Sequence, residues 1–132
     1  MNIAEILYRH ASERPDAIAI LDPHRGATRA TTFAELDVAS ARAASLLAEH
    51  GLKPGDAVLV FHPMSAELYV ALMAMFRMRL VAMFVDPSAG QQHIERCCRL
   101  VPPQALVASA KAHLLRLRSR AIRAIPTKIS IG

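Results

Sequence analysis

Residues 32–87 read TFAELDVASARAASLLAEHGLKPGDAVLVFHPMSAELYVALMAMFRMRLVAMFVDP, and the order of signals along this stretch decides the fold. Thr32 and Glu35 form a capping box: the Thr32 hydroxyl accepts from the Glu35 N–H, and the Glu35 carboxylate reaches back to the Thr32 N–H. The helix that they open places Phe33, Leu36, Ala39, Ala43, Leu46 and Leu47 on one face, and Gly51 ends it with a left-handed cap. Lys53-Pro54-Gly55-Asp56 is a tight turn into a strand at 57–61. A helix over 65–78 and a second strand over 80–85 complete a strand–helix–strand unit. Both strands are continuous apolar runs, the pattern of a parallel sheet covered on both faces.

Working outward, Ile3, Ile6, Leu7 and His10 have helical spacing and predict a short amphipathic helix over 2–13, ended by Pro15-Asp16. A strand at 17–22, a turn at Pro23-His24-Arg25-Gly26 and a returning strand at 29–31 predict a hairpin. Beyond residue 87 the alternation continues: helix 90–101, strand 105–108, helix 111–124 and a last strand near 128–131. Alternating short strands and helices imply βαβ units. The expected fold is therefore α/β, a three-layer and mostly parallel sheet with helices on both faces. Residues 1–31 form the preceding helix and hairpin, and residues 32–132 the βαβ-type subdomain. The run ends at Ile131-Gly132 without a covering helix, so a partial domain of a larger protein is expected, with homo-oligomerisation through the uncovered strand and helix faces.

The chain has 132 residues, 53% hydrophobic and 20% charged, enough aliphatic mass for a core and too apolar for disorder. Its net charge of +5 is uneven. Up to Glu95 there are eight Lys/Arg against eleven Asp/Glu, a net −3; from Arg96 onward there are eight Lys/Arg and no acid, a net +8. With no nucleic-acid recognition module beside it, the basic part reads as a solvated face, and neither nucleic acid nor membrane is an expected partner. The charged N-terminus lacks a signal-peptide core, and Glu67, Arg77 and Arg79 interrupt the most apolar window, Ala66–Val85. Cys97 and Cys98 are adjacent, about 3.8 Å apart at Cα and too close for an unstrained bridge. Reduced thiols in the cytoplasm fit best.

No catalytic, cofactor-binding or metal-binding residue emerges from this pattern. The five glycines are isolated, so neither a phosphate loop nor a dinucleotide fingerprint is present. The six histidines form no metal-ligand pair. Cys97 and Cys98 share a helix face with Ile94 and Val101 and read as core. His62 and Ser65 are the substrate-proximal candidates, because ligands of open parallel sheets bind beyond the carboxyl ends of strands. Each also has a plainer role: His62 as a loop residue, Ser65 as a helix N-cap.

Three motifs resemble those of the adenylate-forming enzymes, the AMP-dependent synthetase and ligase superfamily. Thr32-Phe33-Ala34-Glu35-Leu36 is similar to the family's Thr-Tyr/Phe-x-Glu-Leu motif. Gly51-Leu52-Lys53-Pro54-Gly55-Asp56-Ala57-Val58 is similar to its Gly-x-x-x-Gly-Asp-x-Val turn and strand. Phe76–Pro87 lies where a Lys-Ala-Gly-Ala motif runs into Pro-x-Asp/Asn-Pro; here Arg77-Met78-Arg79 stands in for Lys-Ala-Gly, while Val85-Asp86-Pro87 is kept. Within the superfamily, Asp86–Gly90 and Pro102–Leu115 resemble the fatty-acyl ligase branch that makes β-lactones in bacterial olefin synthesis. The resemblance implies an N-terminal subdomain of an enzyme that activates a carboxylic acid as acyl-AMP, using ATP and Mg²⁺ and, in many members, CoA. It also implies that the phosphate loop, the magnesium-binding acid and the catalytic lysine lie in later sequence, so this chain alone is expected to be inactive and to bind none of these cofactors. Its expected partner is then the remainder of the ligase. A stand-alone, flavodoxin-like binding module is the alternative.

Overall fold

The computed structural model describes residues 2–131 and is α/β, with a four-stranded parallel sheet and a separate antiparallel hairpin. Two compact units are present: residues 1–51 with 64–79, and residues 52–63 with 80–132.

The first unit holds α1 (Ala4–Glu13), a hairpin of β1 (Ile18–His24) and β2 (Ala27–Thr32), α2 (Phe33–Glu49) and α3 (Ala66–Arg77). The hairpin is longer than the sequence predicts. Pro23 and His24 belong to β1, paired with Thr28 and Ala27, and the turn is Arg25-Gly26 alone. Both turn residues have positive φ, 51° and 79°, the backbone of a two-residue turn whose twist matches that of the strands. Pro23 is tolerated because a two-stranded ribbon leaves each strand an unpaired edge.

The capping box forms as expected: Glu35 N–H donates to Thr32 Oγ1 at 3.2 Å and Thr32 N–H to Glu35 Oε2 at 2.9 Å. Along α2, Leu36 and Leu47 are buried, but Leu46 is exposed and Ser40 takes a core position. The reason is a polar tie to α3. Arg77 Nη1 donates to Asp37 Oδ1 (2.8 Å) and to Ser40 Oγ (2.9 Å), which turns the Ser40 edge of α2 inward. Asn2 links α1 to the same helix by donating to the Phe76 carbonyl. In helix α3, Leu68, Ala71, Ala74 and Met75 lie inside and Tyr69 is exposed.

The second unit is built on the sheet, ordered β4-β3-β5-β6 and parallel throughout: β3 (Ala57–Phe61), β4 (Val81–Phe84), β5 (Ala105–Ala108) and β6 (Thr127–Ser130). Every residue of β3 and β5 is buried, as their apolar runs require. Strand β4 departs from that expectation. It occupies a sheet edge, and Val81 and Phe84 are exposed while the flanking Leu80 and Val85 are buried. A 3₁₀ turn at Pro87–Ala89, not foreseen, leads to α4 (Gln91–Leu100). Leu59, Leu106, Ile94, Cys98 and Ile122 meet in one apolar cluster. Val101, expected on that apolar face, is exposed.

The predicted helix over 111–124 does not form. A 3₁₀ helix at Ala112–Leu117 and a single turn, α5 (Arg120–Arg123), replace it. Ser119 sits between them in extended backbone and caps α5 through the Ile122 N–H. A continuous α-helix would stack Arg116 on Arg120 and Arg120 on Arg123 with no acid nearby, and like charges at these spacings oppose helix formation. The last strand begins one residue earlier than expected and ends at Ser130; Gly132 lies outside the described residues.

Candidate functional site: the strand-end crevice

The order β4-β3-β5-β6 creates a switch point. The chain leaving β3 returns at β4 on one side, and the chain leaving β5 returns at β6 on the other. Ligands of open parallel sheets bind outside the carboxyl ends of the strands where connections diverge in this way. In the second unit that position is a crevice of about 350 Å³ walled by Phe61, His62, Phe84, Val85, Ser109 and Ala112. Phe61 pairs with Ala108 in the ladder, so the residues that follow, His62 and Ser109, emerge side by side from adjacent strands.

Local hydrogen bonds hold this rim. Ser109 N–H donates to the Phe61 carbonyl at 3.1 Å, and Ala112 N–H donates to Ser109 Oγ at 3.2 Å. The His62 Nδ1 atom lies 2.9 Å from the Pro63 carbonyl, an internal contact that fixes its ring. His113, one residue past the rim, donates from Nε2 to the Ile129 carbonyl (3.0 Å), while its buried Nδ1 has no hydrogen-bond partner among the described residues.

The walls are apolar, with one imidazole and one hydroxyl, and contain no acid, no Lys or Arg and no glycine. Such a lining suits an apolar or weakly polar group. It does not fit a triphosphate with its magnesium, which needs backbone amides brought close by glycines, cationic side chains and a carboxylate. Among the described residues no group of three or more His, Cys, Asp or Glu is placed to hold a metal ion.

Ser65 belongs to the first unit, and there it caps α3: its Oγ accepts from the Leu68 N–H at 3.3 Å. It also borders an apolar cavity of about 660 Å³ with Ile20, Phe33, Met64 and Tyr69. Beside it lies a charged constellation that the sequence did not announce. Asp22, 6% exposed, accepts from Arg29 Nε (3.0 Å) and Nη2 (2.6 Å) and from the Ala66 N–H (3.0 Å). Arg29 also donates to Glu67 through Nη1 (2.7 Å) and Nη2 (2.9 Å). The Arg29 hydrogen bonds hold both carboxyls at about 2, with the Ala66 amide assisting at Asp22, and the two acids push the guanidinium higher still. This is a clamp of fixed charge states.

Asp86 is held below the usual carboxylate range by the Ser88 N–H (2.9 Å) and hydroxyl (2.8 Å), with His93 adding a smaller pull. Burial pushes the Cys98 thiol up, so it packs as a small apolar group; Cys97 Sγ lies 3.7 Å from His93 Nε2. Ser109 and Phe84 are the site residues that sequence reasoning missed. The signal for Ser109 was present, since it follows its strand as His62 follows the neighbouring one. The signal for Phe84 was absent, because only strand order brings it to the same crevice.

The model of the AMP-binding enzyme family matches residues 7–130. This chain belongs to that family. Among relatives, the olefin beta-lactone synthetase of Xanthomonas campestris pv. campestris is 35% identical over 137 residues, covering 98% of this chain and 24% of that protein. The chain thus spans about a quarter of the length of such a relative. O-succinylbenzoate coenzyme A synthetase from Bacillus subtilis, solved in complex with AMP, shares the fold with a TM-score of 0.79 at 22% identity, over 94% of this chain and 30% of that one. The NpsA N-terminal subdomain from Klebsiella oxytoca shares it with a TM-score of 0.73 at 21% identity, over 81% of this chain and 26% of that one. The matched span contains the motifs at Thr32–Leu36, Gly51–Val58 and Phe76–Pro87, and the Xanthomonas relative bears the branch name that Asp86–Gly90 and Pro102–Leu115 suggested.

Proposed function

We propose that this chain is the amino-terminal part of an ATP-dependent ligase that activates a fatty or related carboxylic acid as its acyl-adenylate. The observation that carries the reading is the family match over residues 7–130, joined to coverage of only 24% of the olefin beta-lactone synthetase. In such a reaction ATP supplies an α-phosphate that the substrate carboxylate attacks, with release of pyrophosphate. The lining of the strand-end crevice offers no Lys, Arg or glycine to stabilise that charge. The part of this chain is to wall the strand-end crevice with Phe61, Phe84 and Val85, where an acyl chain finds apolar contact, and to set His62 and Ser109 at its rim. Ser65 acts through α3, by holding its first turn.

The remainder of the ligase is then the principal partner, ATP and magnesium bind in sequence that this chain does not contain, and CoA or intramolecular β-lactone formation follows. Two free thiols and no helix long and apolar enough to cross a membrane, among the described residues, favour work in the cytoplasm. Self-association of the chain through its sheet edges belongs to the same reading.

The test is acid-dependent ATP–pyrophosphate exchange across a panel of fatty and β-hydroxy acids. It is run on this chain and on the protein encoded by the reading frame that carries it. Exchange by the longer protein and none by the chain is expected. Exchange by the chain alone overturns the scaffold assignment. No exchange by the longer protein with any acid overturns the ligase assignment and favours a flavodoxin-like binding module.

A further inference from the structure

Residues 112–117 form a 3₁₀ helix on the surface of the second unit. A 3₁₀ helix has about three residues per turn, so positions three apart stack along one edge. One edge carries Ala112 and Leu115, which pack on the apolar cluster of the second unit. Another carries Leu114 and Leu117, which are 61% and 69% exposed. Two leucines thus face outward, among Lys111, Arg116, Arg118 and Arg120, all exposed. None of these cations has an ion-pair partner among the described residues, and no acid follows Glu95.

We infer that this basic, leucine-bearing edge docks peripherally on an anionic phospholipid surface. The occupant is chosen by two properties acting together. The arginines and Lys111 demand a dense negative surface, and the leucines demand an apolar layer beneath it; a bilayer carrying anionic headgroups offers both within a few ångströms. Arginine stems lie along apolar surface while their heads stay with the phosphates. Nucleic acid meets only the first demand. Its single strands are gripped by stacking on aromatic rings, and no Phe, Tyr or Trp follows Phe84. The contact is superficial, since no helix of the described residues is long and apolar enough to span a membrane.

Co-sedimentation of the chain with phosphatidylcholine vesicles, with and without phosphatidylglycerol, tests this. Binding is expected only to the anionic vesicles and should fall steeply as salt is raised. Arg116→Gln with Arg118→Gln should weaken it about fivefold per arginine removed. Leu114→Ser with Leu117→Ser should weaken it by about tenfold or more while leaving the far-UV spectrum unchanged, because both side chains are already in water. If the leucine variant misfolds, the arginine variant carries the test. Equal binding to neutral vesicles, no binding to anionic ones, or retention of a single-stranded oligonucleotide in place of vesicles would overturn the inference. So would a longer protein containing this chain that ignores the same vesicles, because the edge would then be covered.

Discussion

Arg29 and Glu67 stand 38 residues apart in sequence and meet through two parallel hydrogen bonds of 2.7 and 2.9 Å. The same guanidinium grips Asp22 at 2.6 Å, so one side chain ties the hairpin to the first turn of α3. Removing it leaves the nearly buried Asp22 carboxylate with the Ala66 amide as its remaining hydrogen-bond donor among the described residues. Arg29→Met should lower the thermal midpoint by several degrees. Arg42→Met, at an exposed position with no ion pair among the described residues, should change it little. A calorimetric scan of the two variants side by side checks the contrast, and equal midpoints would deny the clamp its role.

The same clamp fixes the sign of an acid effect. Asp22 and Glu67 titrate at about 2 in the folded chain, against 3.8 and 4.5 as unperturbed groups. On acidification the unfolded chain therefore takes up protons first. The clamp's stabilisation is fully present above about pH 4.5 and drains away as pH falls toward 2. Urea midpoints measured between about pH 6 and 2 should show this loss in the parent chain and a flatter acid limb in Arg29→Met.

Ser65 separates a capping role from a ligand role. Its hydroxyl accepts from Leu68 N–H at the start of α3, so Ser65→Ala should cost about 1 kcal/mol of stability. In the longer protein, the KM for the acid should stay within about twofold of the parent if capping is its whole contribution. A large rise in KM at unchanged stability would assign Ser65 to the substrate instead.

Arg79 has φ +58°, in the left-handed region that glycine enters freely, and its N–H donates to the Phe76 carbonyl to close α3. The motif that this segment resembles carries glycine at this place, and here an arginine adopts the left-handed backbone. Arg79→Gly should relieve the backbone strain of about 1–2 kcal/mol and give back part of that in unfolded-chain entropy. A net gain near about 0.5–1 kcal/mol in denaturant unfolding is expected. A loss would mean that the arginine side chain holds this turn.

Much of the fold was legible because its signals are local. The Thr32/Glu35 capping box, the Gly51 cap and the apolar runs at 57–61 and 105–108 act within a few residues, and each element forms where its signal lies. The 111–124 segment misled for a physical reason. Its leucine spacing satisfies an α-helix, but five cations without an acid oppose one, and Ser119 offers a cap that restarts the chain. His62 was legible as a strand-end residue, whereas the crevice around it was not.

By itself, the sequence determined the element order, the strand–helix alternation and membership of the AMP-binding family, since periodicity, caps and motif spacing are written along one dimension. Only the tertiary structure decided which strands became edges, exposing Val81 and Phe84, and which distant charges met, joining Asp22, Arg29 and Glu67. Strand order and long-range pairing depend on how separated segments share burial and charge in three dimensions, and no local spacing encodes that.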